Sequence, residues 1–307
     1  MKLDVCVVTH RRPVGLHRLL GGLDALALPE PRPELRVVVV DNDAEESARP
    51  VCEDAARWLR HELLYLVEKR RGIPQARNTA LAAALERADF AAFIDDDEVP
   101  EPGWLAELLR VQASRGADVV TGPVEPVFEA PPPTWIERGG LFLRPRHATG
   151  ARIGCAYTHN ALVSMRAIGS IERWFDERMA LTGSSDTELF ERLARGGVRI
   201  MWADLAVVRE WVPASRARLR WILRRAFRVG TAGSFIDRRC VDPPRAAAFI
   251  LAHGAWCVAK GLGLAAAGGL RGRAAAARGL RLAAFGLGRL AGLAGVSLPE
   301  YRHTDGR

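Results

Sequence analysis

The sequence predicts an α/β protein: a doubly wound, Rossmann-like, mainly parallel sheet over residues 1–212, followed by a basic and apolar helical region over 213–307. Short β-branched runs without polar alternation take turns with helical patterns, as in a parallel sheet covered on both faces. Several of these runs end in polar residues. Beyond Pro213 the text changes to alanine, leucine and glycine with interspersed arginines.

The elements follow in order. "LDVCVV" (3–8) predicts a first strand and "GLHRLLGGLDAL" a helix; "LRVVVV" (35–40) predicts the second strand, with a helix near 47–61. "ELLYLV" (62–67), a helix through "PQARNTALAAALERA", "FAAFI", a helix through "GWLAELLRVQASRG" and "ADVVTG" continue the pattern. Residues 123–150, rich in proline, glycine and arginine, predict a long surface loop without regular helix. "CAYTHNALVSM" predicts a strand, "SSDTELFERLARGG" a helix with Ser185 and Glu188 as a capping box, and "VRIMWADLAVVREW" one or two further strands.

Only three of the 44 basic residues are lysines, so arginine carries the net charge of +8. Guanidinium suits phosphate or an anionic membrane surface. The five cysteines are scattered without a C-x-x-C pair, which argues against a disulfide framework or a zinc site. "MKLDVCVVTH" enters a strand at once with no signal-like pattern, so a cytoplasmic origin is expected. No nucleic-acid module is recognisable, and nucleic acid is not expected as a partner.

In open α/β sheets ligands bind outside the carboxyl ends of the strands. That rule gathers Thr9 and Arg11 after the first strand, Asp41 after the second, and Asp95, Asp96 and Asp97 after the fourth. Arg77 lies one turn into the helix that opens with Gly72 and Pro74. Carboxylates and cations together suit a nucleoside diphosphate with Mg²⁺ or Mn²⁺, hard ions that take oxygen ligands. "THRRPVG" stands where a dinucleotide fold carries G-x-G-x-x-G, and no Walker A sequence is present.

The chain resembles family 2 glycosyltransferases of the GT-A fold, and most closely those of succinoglycan-type bacterial exopolysaccharide assembly. The segments that carry the resemblance are "VCVVTHRRP" (5–13), "VVVVDNDAEESAR" (37–49), "GIPQARNTAL" (72–81), "FIDDDEVPEPGWL" (93–105), "THNAL" (158–162), "FDERMALTGSSDTELFERL" (175–193) and "VPASRARLRWILRRAFRVG" (212–230). It implies inverting transfer of a sugar, expected to be glucose, from a UDP-sugar to a lipid-diphosphate-linked oligosaccharide. Asp41 would then meet uridine, Asp96 the ribose and Asp97 the divalent ion, with Asp95 completing the acidic motif and Thr9, Arg11 and Arg77 on the donor. Asp186 matches the general base. Ser185 stands where the family commonly has Glu, and Arg209 where a His can help bind metal; Arg209 is therefore a candidate to neutralise diphosphate itself. A catalytically silent binding protein of the same fold is the alternative.

Two side chains stay open between roles: Asn160, a donor contact or a backbone partner, and Trp135, a sugar platform or a loop anchor. Residues 215–230 predict a basic amphipathic helix, and 246–270 is long enough to span a bilayer but carries Lys260, His253 and five glycines. On a helical wheel Arg271, Arg278 and Arg289 share one face, with Arg281 flanking. The expected location is the cytoplasmic face of a bacterial inner membrane, with peripheral attachment to its anionic surface.

Overall fold

The structure, a computed structural model, describes residues 1–180, 183–240 and 242–296. Eleven strands and ten α-helices lie among them. The N-terminal part alternates β1 (Lys2–Thr9), α1 (Pro13–Asp24), β2 (Glu34–Asp41), α2 (Arg49–Ala55), β3 (Glu62–Val67), α3 (Ile73–Leu85), β4 (Phe90–Asp95), β5 (Glu98–Pro100) and α4 (Trp104–Arg115). There follow β6 (Val119–Thr121), β7 (Val124–Phe128), α5 (Thr134–Gly139), β8 (Arg152–Ile153), β9 (Ala161–Ser164), α6 (Met165–Gly169), α7 (Ser185–Arg195), β10 (Ile200–Trp202) and β11 (Val208–Val212). Three long helices close the chain: α8 (Leu219–Cys240), α9 (Pro243–Arg271) and α10 (Arg273–Leu293).

The main sheet has the order β3-β2-β1-β4-β9-β6-β10-β8. Strands β1 to β4 pair in parallel, β9 runs antiparallel between β4 and β6, and β8 closes the far edge antiparallel to β10. The continuous valine runs are explained by burial on both faces. Val5, Val7, Val37 and Val39 point into one apolar cluster with Leu16, Leu20, Leu105 and Leu108, while Cys6, Val38 and Val40 enter a second with Ala76, Ala80, Leu189 and Phe190. Each fully buried aliphatic side chain contributes ~1.5–3 kcal/mol relative to exposure.

Residues 123–150 are more regular than their composition predicts. Val124–Phe128 is a strand because β11 offers it a parallel partner, and Thr134–Gly139 forms a short helix behind Pro133. Strands β5, β11 and β7 make a second small sheet, in which β11 lies between an antiparallel and a parallel neighbour. Trp135 packs beside Ile136 against Leu141 and Ile222, so it anchors this segment.

Helices α9 and α10 form an antiparallel hairpin turning at Gly272, and α10 also lies on α8 and α5. Glycine sets the closeness: a Cβ at Gly261 would collide with the backbone of Ala283, and one at Gly288 with the carbonyl of Phe227. The basic stripe expected over 271–289 does not lie on one helix: Arg271 ends α9, the chain turns at Gly272, and packing divides the arginines of α10. Arg271 and Arg278 are exposed, whereas Arg289 is buried between the helices and ion-pairs with Asp237 at 2.7 Å, and Arg281 donates to the Leu141 carbonyl at 2.9 Å. Helix α9 is long and apolar enough to cross a membrane over Pro243–Gly269, at mean hydropathy 1.4. Phe249, Leu251, Trp256 and Leu262 on it are exposed.

Candidate active site

Strand register brings the polar ends together. Thr9 pairs opposite Asp41 across β1 and β2, and Val8 opposite Asp95 across β1 and β4, so three strand ends open on one edge of the sheet. The Asp97 carbonyl accepts from the Trp211 backbone N–H at 2.8 Å, which fixes the acidic loop to β11.

Each acidic side chain of that loop has an arginine. Asp96 is buried, with one oxygen accepting from the Thr9 hydroxyl at 2.8 Å and the other from Arg12 at 2.9 Å. Asp97 accepts from Arg12 at 3.2 Å and from Arg216 at 3.1 Å. Asp95 meets Arg77 at 3.5 Å. Desolvation pushes the Asp95 carboxyl up to about 6; Arg77 opposes this, and Asp97, Asp96 and Asp186 add to it. Burial also raises Asp96 and holds Glu98 well above the usual carboxylate range, while Glu98 accepts from the Asp95 backbone N–H at 2.9 Å. Burial acts against the charge of Arg12, but Asp96, Asp97 and Asp95 outweigh it and the net shift is upward.

Asp41 is fully buried beside this group. It accepts from the Ala48 backbone N–H at 2.7 Å, the Tyr65 hydroxyl at 3.0 Å and the Asp43 backbone N–H at 3.1 Å, so it shapes the loop after β2. Arg11 departs from the expected cluster. Its backbone has φ 54°, and the side chain turns to Asp43 at 2.8 Å and Glu45 at 3.0 Å, leaving Arg12 to face the acidic loop.

Asp186 sits in the first turn of α7, accepting from the Thr187 backbone N–H at 2.8 Å and from the Thr158 hydroxyl at 3.4 Å. The expected capping box is absent. Ser184 is the N-cap, Ser185 is already helical and accepts a long 3.5 Å contact from Arg77, and Glu188 pairs instead with Arg192 at 3.1 Å. Arg77 is buried over the Phe175 ring and touches both Asp95 and the neighbour of Asp186.

Asn160 is wholly buried and satisfied by its surroundings: it accepts from Trp104 at 2.8 Å and donates to the carbonyls of Pro123 at 3.0 Å and Ala206 at 2.8 Å. Arg209 is directed away from the acidic loop, in an ion pair with Glu101. Successive strand residues face opposite ways, so it is Glu210 that faces inward, with Arg144 at 2.7 Å and Arg216 at 3.7 Å. The cation that joins Arg12 at Asp97 is therefore Arg216, not Arg209.

The acidic loop suits a divalent ion of the Mg²⁺ or Mn²⁺ kind. Asp97 and Asp95 offer hard oxygens and keep 22% and 42% of their side chains exposed. Among the described residues no group of three His, Cys, Asp or Glu is arranged to hold a metal. An ion bound through one or two carboxylates and completed by substrate phosphates needs no such group.

Sequence reasoning missed Arg12, Arg216, Glu98, Glu210 and Thr158. Arg12 stands beside Arg11 in "THRRP"; Arg11 has a positive φ and is held by Asp43 and Glu45, while Arg12 reaches Asp96 and Asp97. Arg216 lies in the "VPASRARLRWILRRAFRVG" segment but more than a hundred residues from Asp97, and nothing local ties it to the acidic loop.

The model of glycosyl transferase family 2 matches residues 4–171. The succinoglycan biosynthesis protein ExoM of Rhizobium meliloti (strain 1021) is 37% identical over 231 residues, covering 75% of this chain and 73% of that protein. Among solved structures, the mannosyltransferase PcManGT from Pyrobaculum calidifontis, in complex with GDP-Man and Mn²⁺, has a TM-score of 0.60 at 20% identity over 93% of this chain and 86% of its own. The S. aureus TarS 1–349 in complex with UDP has a TM-score of 0.55 at 17% identity over 100% of this chain and 95% of its own, and a longer TarS chain is spanned over 48%. These structures establish the GT-A fold.

Proposed function

The chain belongs to glycosyl transferase family 2 and is a glycosyltransferase, and from that premise we propose that it moves glucose from a UDP-sugar, with inversion, to a lipid-diphosphate-linked oligosaccharide in bacterial polysaccharide assembly. The observation that carries the reading is the position of Arg77. It touches Asp95 of the acidic loop and Ser185 next to Asp186, so the donor side and the base side of one cleft are tied through a single buried guanidinium.

In the proposed reaction Asp186 accepts the proton of the acceptor hydroxyl as that oxygen attacks the anomeric carbon from the face opposite UDP. The new C–O bond forms while the bond from the anomeric carbon to the diphosphate breaks, and UDP departs with the electron pair. Thr158 and the Thr187 backbone N–H hold the Asp186 carboxylate in place. Asp41 and the loop it organises receive uridine, and Asp96, locked by Thr9 and Arg12, sets the position of the acidic loop near the ribose. A divalent ion held by Asp97 and Asp95 would supply positive charge to the leaving diphosphate.

ExoM is named for succinoglycan biosynthesis, which supports a membrane-borne saccharide as acceptor. The exposed Phe249, Leu251, Trp256 and Leu262 on α9, with Arg271 and Arg278 exposed nearby along the hairpin, support peripheral attachment to an anionic cytoplasmic membrane face. The testing experiment is calorimetric titration with UDP and GDP, with and without Mn²⁺, followed by assay of UDP release from UDP-glucose. UDP-selective binding that strengthens with Mn²⁺ is expected; preference for GDP overturns the donor assignment.

A further inference from the structure

Arg216 occupies an unusual place. It leaves the second sheet on the turn before α8, where its backbone N–H donates to the Pro213 carbonyl at 2.9 Å, and it reaches back to Asp97. The same Asp97 oxygen accepts from Arg12, so two guanidinium groups share the one carboxylate oxygen. Only 13% of the Arg216 side chain is exposed, and it lies 5.8 Å from the Trp221 ring.

A divalent cation on the Asp97 carboxylate would sit beside two guanidinium groups that already share one of its oxygens. They are like charges around one carboxylate, and the site is partly desolvated, where repulsion is weakly screened. The repulsion favours withdrawal of one of the two arginines. Arg12 is held by Asp96 as well as Asp97, inside the network that includes Thr9. Among the described residues Arg216 has only Asp97 within hydrogen-bond reach, with Glu210 at 3.7 Å, and Glu210 is already engaged by Arg144 at 2.7 Å. Arg216 therefore yields first.

Resting on the donor reading above, we propose that Arg216 excludes the divalent ion from Asp97 until a nucleoside diphosphate arrives, and then transfers to the diphosphate as one of its ligands. Metal and nucleotide binding are then coupled. The ion alone must displace a cation whose other carboxylate, Glu210, lies at 3.7 Å and is already engaged by Arg144; with the diphosphate present, its oxygens provide a free acceptor. Guanidinium is suited to this exchange, since it binds carboxylate and phosphate with the same geometry. By linkage the coupling is reciprocal: whatever the diphosphate adds to metal affinity, the metal adds to diphosphate affinity.

The test uses the full chain and Mn²⁺, followed by electron paramagnetic resonance of free Mn²⁺, in the wild type, Arg216→Gln and Arg216→Lys, each first checked for an unchanged far-ultraviolet spectrum. Without nucleotide, Arg216→Gln should bind Mn²⁺ more tightly by ~10-fold, within the usual range of coupling between sites. Arg216→Lys, which keeps the charge, should stay near the wild type. With saturating Mn²⁺, UDP affinity should move the opposite way, weaker in Arg216→Gln by a similar factor. Unchanged or weaker Mn²⁺ binding in Arg216→Gln overturns the exclusion, as does a Lys variant that behaves like Gln. Tighter Mn²⁺ binding with unchanged UDP affinity overturns the transfer. Failure of the wild type to bind UDP at all overturns the donor reading, while the nucleotide-free Mn²⁺ comparison still decides the exclusion.

Discussion

Replacing Asp41 by Asn separates the structural task of that residue from the ligand role proposed for it. The buried carboxylate serves three donors, with the Ala48 N–H and the Tyr65 hydroxyl on one oxygen and the Asp43 N–H on the other. An amide has one acceptor oxygen. Its better orientation keeps the pair formed by Ala48 and Tyr65 and turns the NH₂ toward the Asp43 N–H, leaving one buried donor unpaired at a cost of ~1–3 kcal/mol. The two retained bonds also lose charge assistance, ~1 kcal/mol each, since charged bonds contribute about 1.5–3 and neutral ones about 0.5–1.5. Against this, burial raises the Asp41 carboxyl, so removing the charge returns part of its desolvation cost. A net loss of ~1–3 kcal/mol follows. Urea unfolding monitored by circular dichroism at pH 8 reads it, and UDP titration of the same variant reads the ligand role. An unchanged unfolding midpoint would refute the hydrogen-bond accounting. A destabilised variant that binds UDP normally would refute base recognition by Asp41 and leave it as loop scaffold.

Asp186→Asn should lower turnover by ~10²–10⁴-fold, the usual contribution of a positioned base, with UDP affinity unchanged in calorimetry. Asp4, wholly buried, pairs with Arg36 at 2.6 Å between β1 and β2, and Asp4→Asn leaves that guanidinium uncompensated; a loss of ~3–5 kcal/mol in urea unfolding is expected. The Arg11 side-chain bond holds Asp43 down at about 2, below its usual 3.8, so its contribution is present above pH ~4 and is lost as pH falls from there to about 2. Arg11→Ala should therefore flatten the stability profile across that window and leave its shape near neutrality unchanged. Phe249→Ala combined with Trp256→Ala should reduce flotation of the full chain with phosphatidylglycerol vesicles, and equal flotation of both proteins would count against attachment through α9.

The α/β core was legible because its strands are buried on both faces. "LRVVVV" and "ELLYLV" have no other stable use, and β3 spans the predicted 62–67. The acidic loop could be placed because strand ends are where an open sheet keeps its polar groups. What could not be read depended on contacts distant in sequence. Val124–Phe128 reads as loop until β11 supplies the partner, and Ser185 reads as a cap until Arg77 engages its hydroxyl. Arg209 was the nearest candidate by motif spacing, but strand alternation sends Arg209 outward and Glu210 inward. The arginine stripe over 271–289 holds only for a single uninterrupted helix; the turn at Gly272 leaves Arg271 on α9, and α8 covers the position of Arg289 with Asp237.

The acidic loop brings its own counter-charges. With Arg77, Arg12 and Arg216 opposite Asp95, Asp96 and Asp97, the strand end is balanced by the polypeptide alone. Proteins whose clustered ligands have nothing but metal to neutralise them unfold in chelator. This chain is built differently: the expected outcome of EDTA treatment is an unchanged circular dichroism spectrum, whatever ion the donor reaction requires.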